Sequence, residues 1–195
     1  MRLVTVVDAL HAMPLDTLQS SLDDAIAVCV DAIGAGNKIL VCGNGGSAAQ
    51  ASHLVAELLG RFRDRWQWLN VVSLNADSAL LTALANDQSY SEVFVHQIRS
   101  LGKYGDVLIS LTTSGTSQNI LRAMARAHAQ HLVNVLLTGE TTIPQHNYAD
   151  ICLRVPSTDT QRIQEMHLIV LHALAAGIQE AIYGVNGGFD SSHLA

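Results

Sequence analysis

Aromatic side chains make up only 5% of the 195 residues and charged ones only 14%, against 49% hydrophobic. A core short of aromatics is built mainly from Ala, Leu, Val and Ile, which suits close helix packing and buried parallel strands. So little charge argues for a large buried fraction, or for surface hidden in an oligomer. The three cysteines, Cys29, Cys42 and Cys152, are odd in number and far apart. They fit neither a disulfide framework nor a Cys-based zinc pattern, and read as reduced core residues. Lys and Arg total 11 against 17 Asp and Glu, a net charge of −6, and no basic cluster stands out. A footprint for the nucleic-acid backbone is therefore not expected. The N-terminus has no basic segment followed by an apolar core and cleavage site, and no uninterrupted apolar run reaches membrane-spanning length. The expectation is a cytoplasmic protein with neither nucleic acid nor membrane as partner.

What is present alternates. Residues 14–33 carry Leu18, Leu22, Ile26, Val30 and Ile33 on one helical stripe, which Gly34 and Gly36 end. Short apolar runs then recur at 38–42, 70–74, 106–111, 132–137 and 150–155, with helical segments near 48–59, 79–85, 92–101 and 118–130. A long final helix is expected over 160–183. Strands alternating with helices predict an α/β fold, a five-stranded parallel sheet covered on both faces. The length suits one domain over 1–195: an N-terminal helix at about 14–34, a core at about 38–156, the C-terminal helix and a polar tail at 184–195.

Two strand exits have distinctive chemistry. Cys42-Gly43-Asn44-Gly45-Gly46-Ser47 supplies a glycine-rich backbone that a ligand can approach closely. Thr112-Thr113-Ser114-Gly115-Thr116-Ser117 places hydroxyls and amides before a helix N-terminus, where unpaired N–H groups and the helix dipole favour a phosphate. Ordinary capping accounts for either loop alone. Two at neighbouring strand ends favour a phosphorylated ligand. Gly43-x-Gly45-x-x-Ala48 also meets a loose dinucleotide pattern, but the acidic residue that should end the next strand is missing and neither loop has a P-loop lysine. No nucleotide cofactor is expected.

Two helices carry candidate chemistry. His53 and Glu57 stand four residues apart, on adjacent turns of one face, and can bind a divalent metal or form an acid/base pair. An ordinary exposed helix pair is the alternative. Gln164 and His172 share a side of the last helix two turns apart, whereas His167 lies roughly 140° from Gln164.

Four blocks occur in order: CGNGGSAAQASHLVAELLGRF at 42–62, AND at 85–87, GDVLISLTTSGTSQNI at 105–120 and RIQEMHLIVLH at 162–172. Together they resemble the phosphoheptose isomerases, a family of the sugar isomerase (SIS) fold, over nearly the whole chain. The resemblance implies a homotetramer with active sites at subunit interfaces. It also implies conversion of sedoheptulose 7-phosphate to D-glycero-D-manno-heptose 7-phosphate, the first step towards nucleotide-activated heptose. It assigns Glu57 and His172 as the acid/base pair and His53, Glu57, Gln164 and His172 as zinc ligands. Asn44, Gly45, Gly46, Ser47, Glu57, Asn86, Asp87, Thr112, Thr113, Ser114, Ser117 and Gln164 match substrate-contacting positions. Thr112 and Thr116 replace the family's common Ser and Asn, Gln50 and Gln161 stand where relatives carry Asp, and residues 66–69 lack a frequent proline. The alternative is a non-catalytic SIS-fold tetramer, such as a replication-initiation regulator or a sugar-phosphate-binding protein. The regulator-like branch lacks the carboxylate and histidine that Glu57 and His172 supply here.

Overall fold

The computed structural model of the chain describes residues 7–8, 10–62, 65–66, 68–140 and 148–184. The expected tail beyond Gly184 lies outside the described residues. Elements follow in the order α1 (Leu15–Gly34), β1 (Ile39–Gly43), α2 (Gly46–Leu59), β2 (Arg61–Phe62), β3 (Arg65–Trp66), β4 (Val71–Ser73) and α3 (Ser78–Asp87). A 3-10 turn (Tyr90–Glu92) precedes α4 (Val95–Leu101), β5 (Val107–Thr112), α5 (Gln118–Ala129), β6 (Val133–Thr138), β7 (Ile151–Arg154) and α6 (Thr160–Tyr183).

Five strands form one parallel sheet in the order β4-β1-β5-β6-β7. The chain steps from β1 outward to β4, then returns to the other side of β1 to lay down β5. Strand order therefore reverses between β1 and β5, and a crevice opens at their carboxyl ends. Both candidate loops leave the sheet at that point. The short antiparallel pair of β2 and β3 had no counterpart in the sequence reading. Two-residue strands are too short to show a period.

Period-two alternation divides the sheet between two cores. Ile39, Val41, Val107, Ile109 and Leu111 face α1, α2 and α6, packing with Leu22, Leu54, Leu58, Leu171 and Leu174. Leu40, Cys42 and Leu108 face the opposite side, with Phe94, Ile98, Ile120 and Met124 from the α4 and α5 region. At the amino ends of the strands, the buried Asp106 carboxylate accepts from Lys38 Nζ at 2.6 Å and from the Lys38 and Lys103 amides. Those bonds tie β1 to β5 at the end away from the crevice. α6 is long and apolar enough by composition to cross a membrane. Its Ile163, Met166, Val170, Leu171, Leu174 and Ile178 are buried inside the fold, so here it is a core helix.

Candidate active site

The first loop is held by the neighbouring strand. The Gly43 amide donates to Asn75 Oδ1 at 3.1 Å, and Asn75 Nδ2 donates back to the Gly43 carbonyl at 3.0 Å. Gly45 then takes φ +55°, a conformation costly for residues with a Cβ, and α2 begins at Gly46. At Gly46 a Cβ would sit 2.5 Å from Gln164 Nε2, so the loop and α6 touch only because that side chain is absent.

The second loop is braced internally. The Gly115 amide donates to Thr112 Oγ1 at 3.1 Å. Ser114 Oγ accepts from the Thr116 amide and hydroxyl at 3.2 and 3.0 Å. Ser117 flanks α5 without a side-chain capping bond, and its hydroxyl lies 3.5 Å from Thr112 Oγ1 across the loop. Between the loops lies a cavity of about 290 Å³. Asn44 to Ser47 form one wall and Thr112, Thr113 and Ser117 another, and Thr160 and Gln164 of α6 close it. Ser114 is exposed and lies outside the lining. Asn86 and Asp87 lie at the exposed C-terminal end of α3, paired by a 2.8 Å hydrogen bond and likewise away from the lining.

α2 and α6 lead from this cavity to a second cluster. His53 Nε2 is 3.0 Å from His172 Nε2 and 3.1 Å from Glu57 Oε1, and His172 Nε2 is 3.3 Å from the same oxygen. Two residues on α2 and one on α6 thus present three ligand atoms to one point. Both imidazoles are half-exposed, whereas Glu57 is 13% exposed and its Oε2 is buried without a hydrogen-bond partner. A buried carboxylate oxygen left bare calls for a proton, a ligand or a cation. The donor set suits a divalent metal. Nitrogen and oxygen ligands about 2 Å from a tetrahedral zinc lie roughly 3.3 Å apart, close to the spacings here. Gln164 lies on the same helix nearer the cavity, and its main-chain carbonyl accepts from Gln50 Nε2 at 2.6 Å.

His167, on the other side of α6, is fully buried. Burial pushes its pKa down to about 4, opposed by the main chain of Thr138, although neither ring nitrogen reaches full hydrogen-bonding geometry. Behind the first loop, burial likewise drives the Cys42 thiol up to about 12, with Ser110 opposing. That thiol is inert packing, not a nucleophile.

Sequence reasoning passed over Asn75, Asn119 and Thr160. Asn119 exchanges two 2.8 Å hydrogen bonds with Asn44. It lies inside one of the four blocks, but an asparagine in a helix's first turn reads as ordinary local capping.

The SIS domain family model matches residues 4–139. A phosphoheptose isomerase of Thiobacillus denitrificans is 40% identical over 173 residues, covering 87% of this chain and 88% of that one. The chain belongs to the phosphoheptose isomerases of the SIS-domain family. A second member, from Akkermansia muciniphila, is 41% identical over 87% of this chain and 90% of its own. The solved phosphoheptose isomerase of Neisseria gonorrhoeae superposes with a TM-score of 0.83 at 35% identity, covering 90% of this chain and 94% of that one. This SIS-domain protein is an enzyme, a sugar-phosphate isomerase. Its α/β architecture, with five parallel strands in one sheet among the described residues, matches the SIS fold of the solved phosphoheptose isomerases.

Proposed function

We propose that the enzyme converts sedoheptulose 7-phosphate to D-glycero-D-manno-heptose 7-phosphate through an enediol, in the cytoplasm and as a homotetramer with one SIS domain per chain. The observation that carries this reading is the pairing of a hydroxyl- and amide-lined cavity with an acid/base cluster along the same two helices. Ser47 to His53 spans six residues of α2 and Gln164 to His172 eight of α6, roughly 9 and 12 Å at helical rise. An extended seven-carbon chain is about as long. A phosphate held at the cavity by Thr112, Thr113 and Ser117 thus leaves C1 and C2 near Glu57 and His172. Ser114, Asn86 and Asp87 remain substrate contacts in this reading.

Glu57 removes a proton from C1; the electron pair of that C–H bond forms the C1–C2 double bond, and the C2–O2 π pair moves onto O2. The hydroxyl proton on O1 then transfers to O2, the electron pair it leaves closes the C1–O1 carbonyl, and the C1–C2 π pair takes a proton from His172 at C2. The C2 ketone has then become an alcohol and the C1 alcohol an aldehyde. Glu57 has gained one proton and His172 has lost one, and their 3.3 Å separation lets the proton pass back. Asn44 to Ser47 and Gln164 hold the sugar between the two ends.

His53, Glu57 and His172, with Gln164 as the fourth ligand, would hold one zinc ion, and the geometry of the first three fits it. Zinc would supply Lewis acidity towards the substrate's oxygens. The half-exposed imidazoles, and an α3 that buries none of its ten residues, leave faces for a second subunit to cover.

The deciding experiment incubates the purified protein with sedoheptulose 7-phosphate and follows C1 and C2 by NMR. An aldose C1 signal is expected, with solvent deuterium entering at the carbon that is protonated. Absence of conversion, with or without added zinc, would remove the substrate assignment.

A further inference from the structure

Asn44 lines the cavity, and the direction of its side-chain amide decides whether a ligand there meets a donor or an acceptor. Neighbouring bonds settle that direction. The Ile120 main-chain N–H, which can only donate, lies 3.1 Å from Asn119 Oδ1 and fixes that atom as oxygen. The other arm of Asn119 is then Nδ2, which donates to Asn44 Oδ1 at 2.8 Å. Asn44 Nδ2 donates in return to Asn119 Oδ1, also at 2.8 Å. A third group completes the set. Tyr90, on the 3-10 turn between α3 and α4, donates its hydroxyl to the same Asn44 Oδ1 at 2.9 Å.

Asn44 Oδ1 therefore accepts two hydrogen bonds and has used both lone pairs. One amide N–H of Asn44 is engaged by Asn119, which leaves the second N–H as the polar atom its side chain can offer. The turn that carries Tyr90 is itself anchored. Glu92 pairs with Arg122 of α5, Ser89 accepts from the Ser91 amide at 3.2 Å, and Val93 and Phe94 are fully buried beneath it.

We infer that Tyr90 is a positioning residue of the isomerase: by saturating Asn44 Oδ1 it holds Asn44 as a pure hydrogen-bond donor, selecting a phosphate, carbonyl or hydroxyl oxygen of the ligand at that wall. The inference rests on the cavity being the sugar-phosphate site. It assigns a role to a segment between α3 and α4 that lies outside both ligand loops. The hydroxyl of a largely exposed tyrosine is dispensable to the fold, so its loss registers on the ligand.

The test is a double-mutant cycle in the full chain, measuring kcat and KM for sedoheptulose 7-phosphate beside the melting temperature. Tyr90→Phe is expected to raise KM about 3- to 10-fold, in line with one neutral hydrogen bond, with kcat within about twofold and an unchanged melt. In an Asn44→Ala background the same substitution should change nothing further. Asn44→Ser serves as background if Asn44→Ala fails to fold. A wild-type KM in Tyr90→Phe, or a penalty of equal size in both backgrounds, would overturn the inference. A matched fall in kcat and melting temperature would mean that the turn is merely structural, and would overturn it too. Wild-type protein that neither turns over nor binds the sugar phosphate would instead defeat the reading of the cavity, and this inference with it.

Discussion

Glu57 differs from its two partners in having an oxygen to spare. Oε1 faces both imidazoles, while Oε2 is buried and bare. A glutamine there would keep the volume and one hydrogen-bonding oxygen but lose the base and most affinity for a cation. Glu57→Gln should therefore lower kcat at least 100-fold while the melting temperature holds or rises, because a buried charge has gone. Zinc retained after dialysis, measured by atomic absorption, should fall with it. Near wild-type turnover in the folded variant would show that another group removes the carbon-bound proton. The residue types and the His53–Glu57 spacing were legible from the sequence. That His172, 119 positions from His53, joins them was implied only by the family resemblance, and its 3.0 Å approach comes from the structure, because helical periodicity places residues on faces but does not say which faces meet.

At the scale of elements, the site depends on how closely α2 and the loop before it approach α6. Gly46 makes that approach, and its missing Cβ is the space that the Gln164 amide fills. Gly46→Ala would put a methyl group 2.5 Å from Gln164 Nε2. The far end of a glutamine can swing aside, so the fold should survive at a cost of about 1–2 kcal/mol. The ligand would lose Gln164 at the cavity wall. The expected result is a folded protein whose KM rises about tenfold or more. Gln164→Ala combined with Gly46→Ala should recover stability but not binding. A Gly46→Ala variant with wild-type KM would mean that Gln164 does not meet the substrate. The element boundaries themselves were largely readable: the run expected over 160–183 is α6, and the 106–111 strand is β5 shifted by one residue.

For the whole molecule, His167 links folding to pH. It is fully buried inside the α6 packing with its pKa lowered to about 4, whereas an unfolded chain would hold it near 6.5. Below about pH 6.5 the unfolded chain binds a proton that the folded one refuses, so its neutral form favours folding above that pH. The contribution is lost progressively as pH falls towards 4, by about 2 kcal/mol at pH 5. Melting temperature should drop between pH 7 and 5, and His167→Gln should flatten that slope even if it melts lower at pH 7. An equally steep slope in the variant would assign the acid sensitivity to other groups.

The same histidine shows where reading the chain stops and folding takes over. Sequence alone determined the alternation of strands and helices, the two loops at strand ends, and that His167 lies well around α6 from Gln164. These are local quantities, set by period, turn chemistry and residue type. Only tertiary structure decided that strand order reverses between β1 and β5, so that both loops border one crevice. It alone set His172 against His53 and Glu57, buried Glu57 Oε2 without a partner, and brought the Tyr90 hydroxyl onto Asn44 across 46 residues. The physical reason is that each such contact joins segments far apart in the chain. It exists only when two hydrophobic cores, one on each face of the sheet, fix the elements in place.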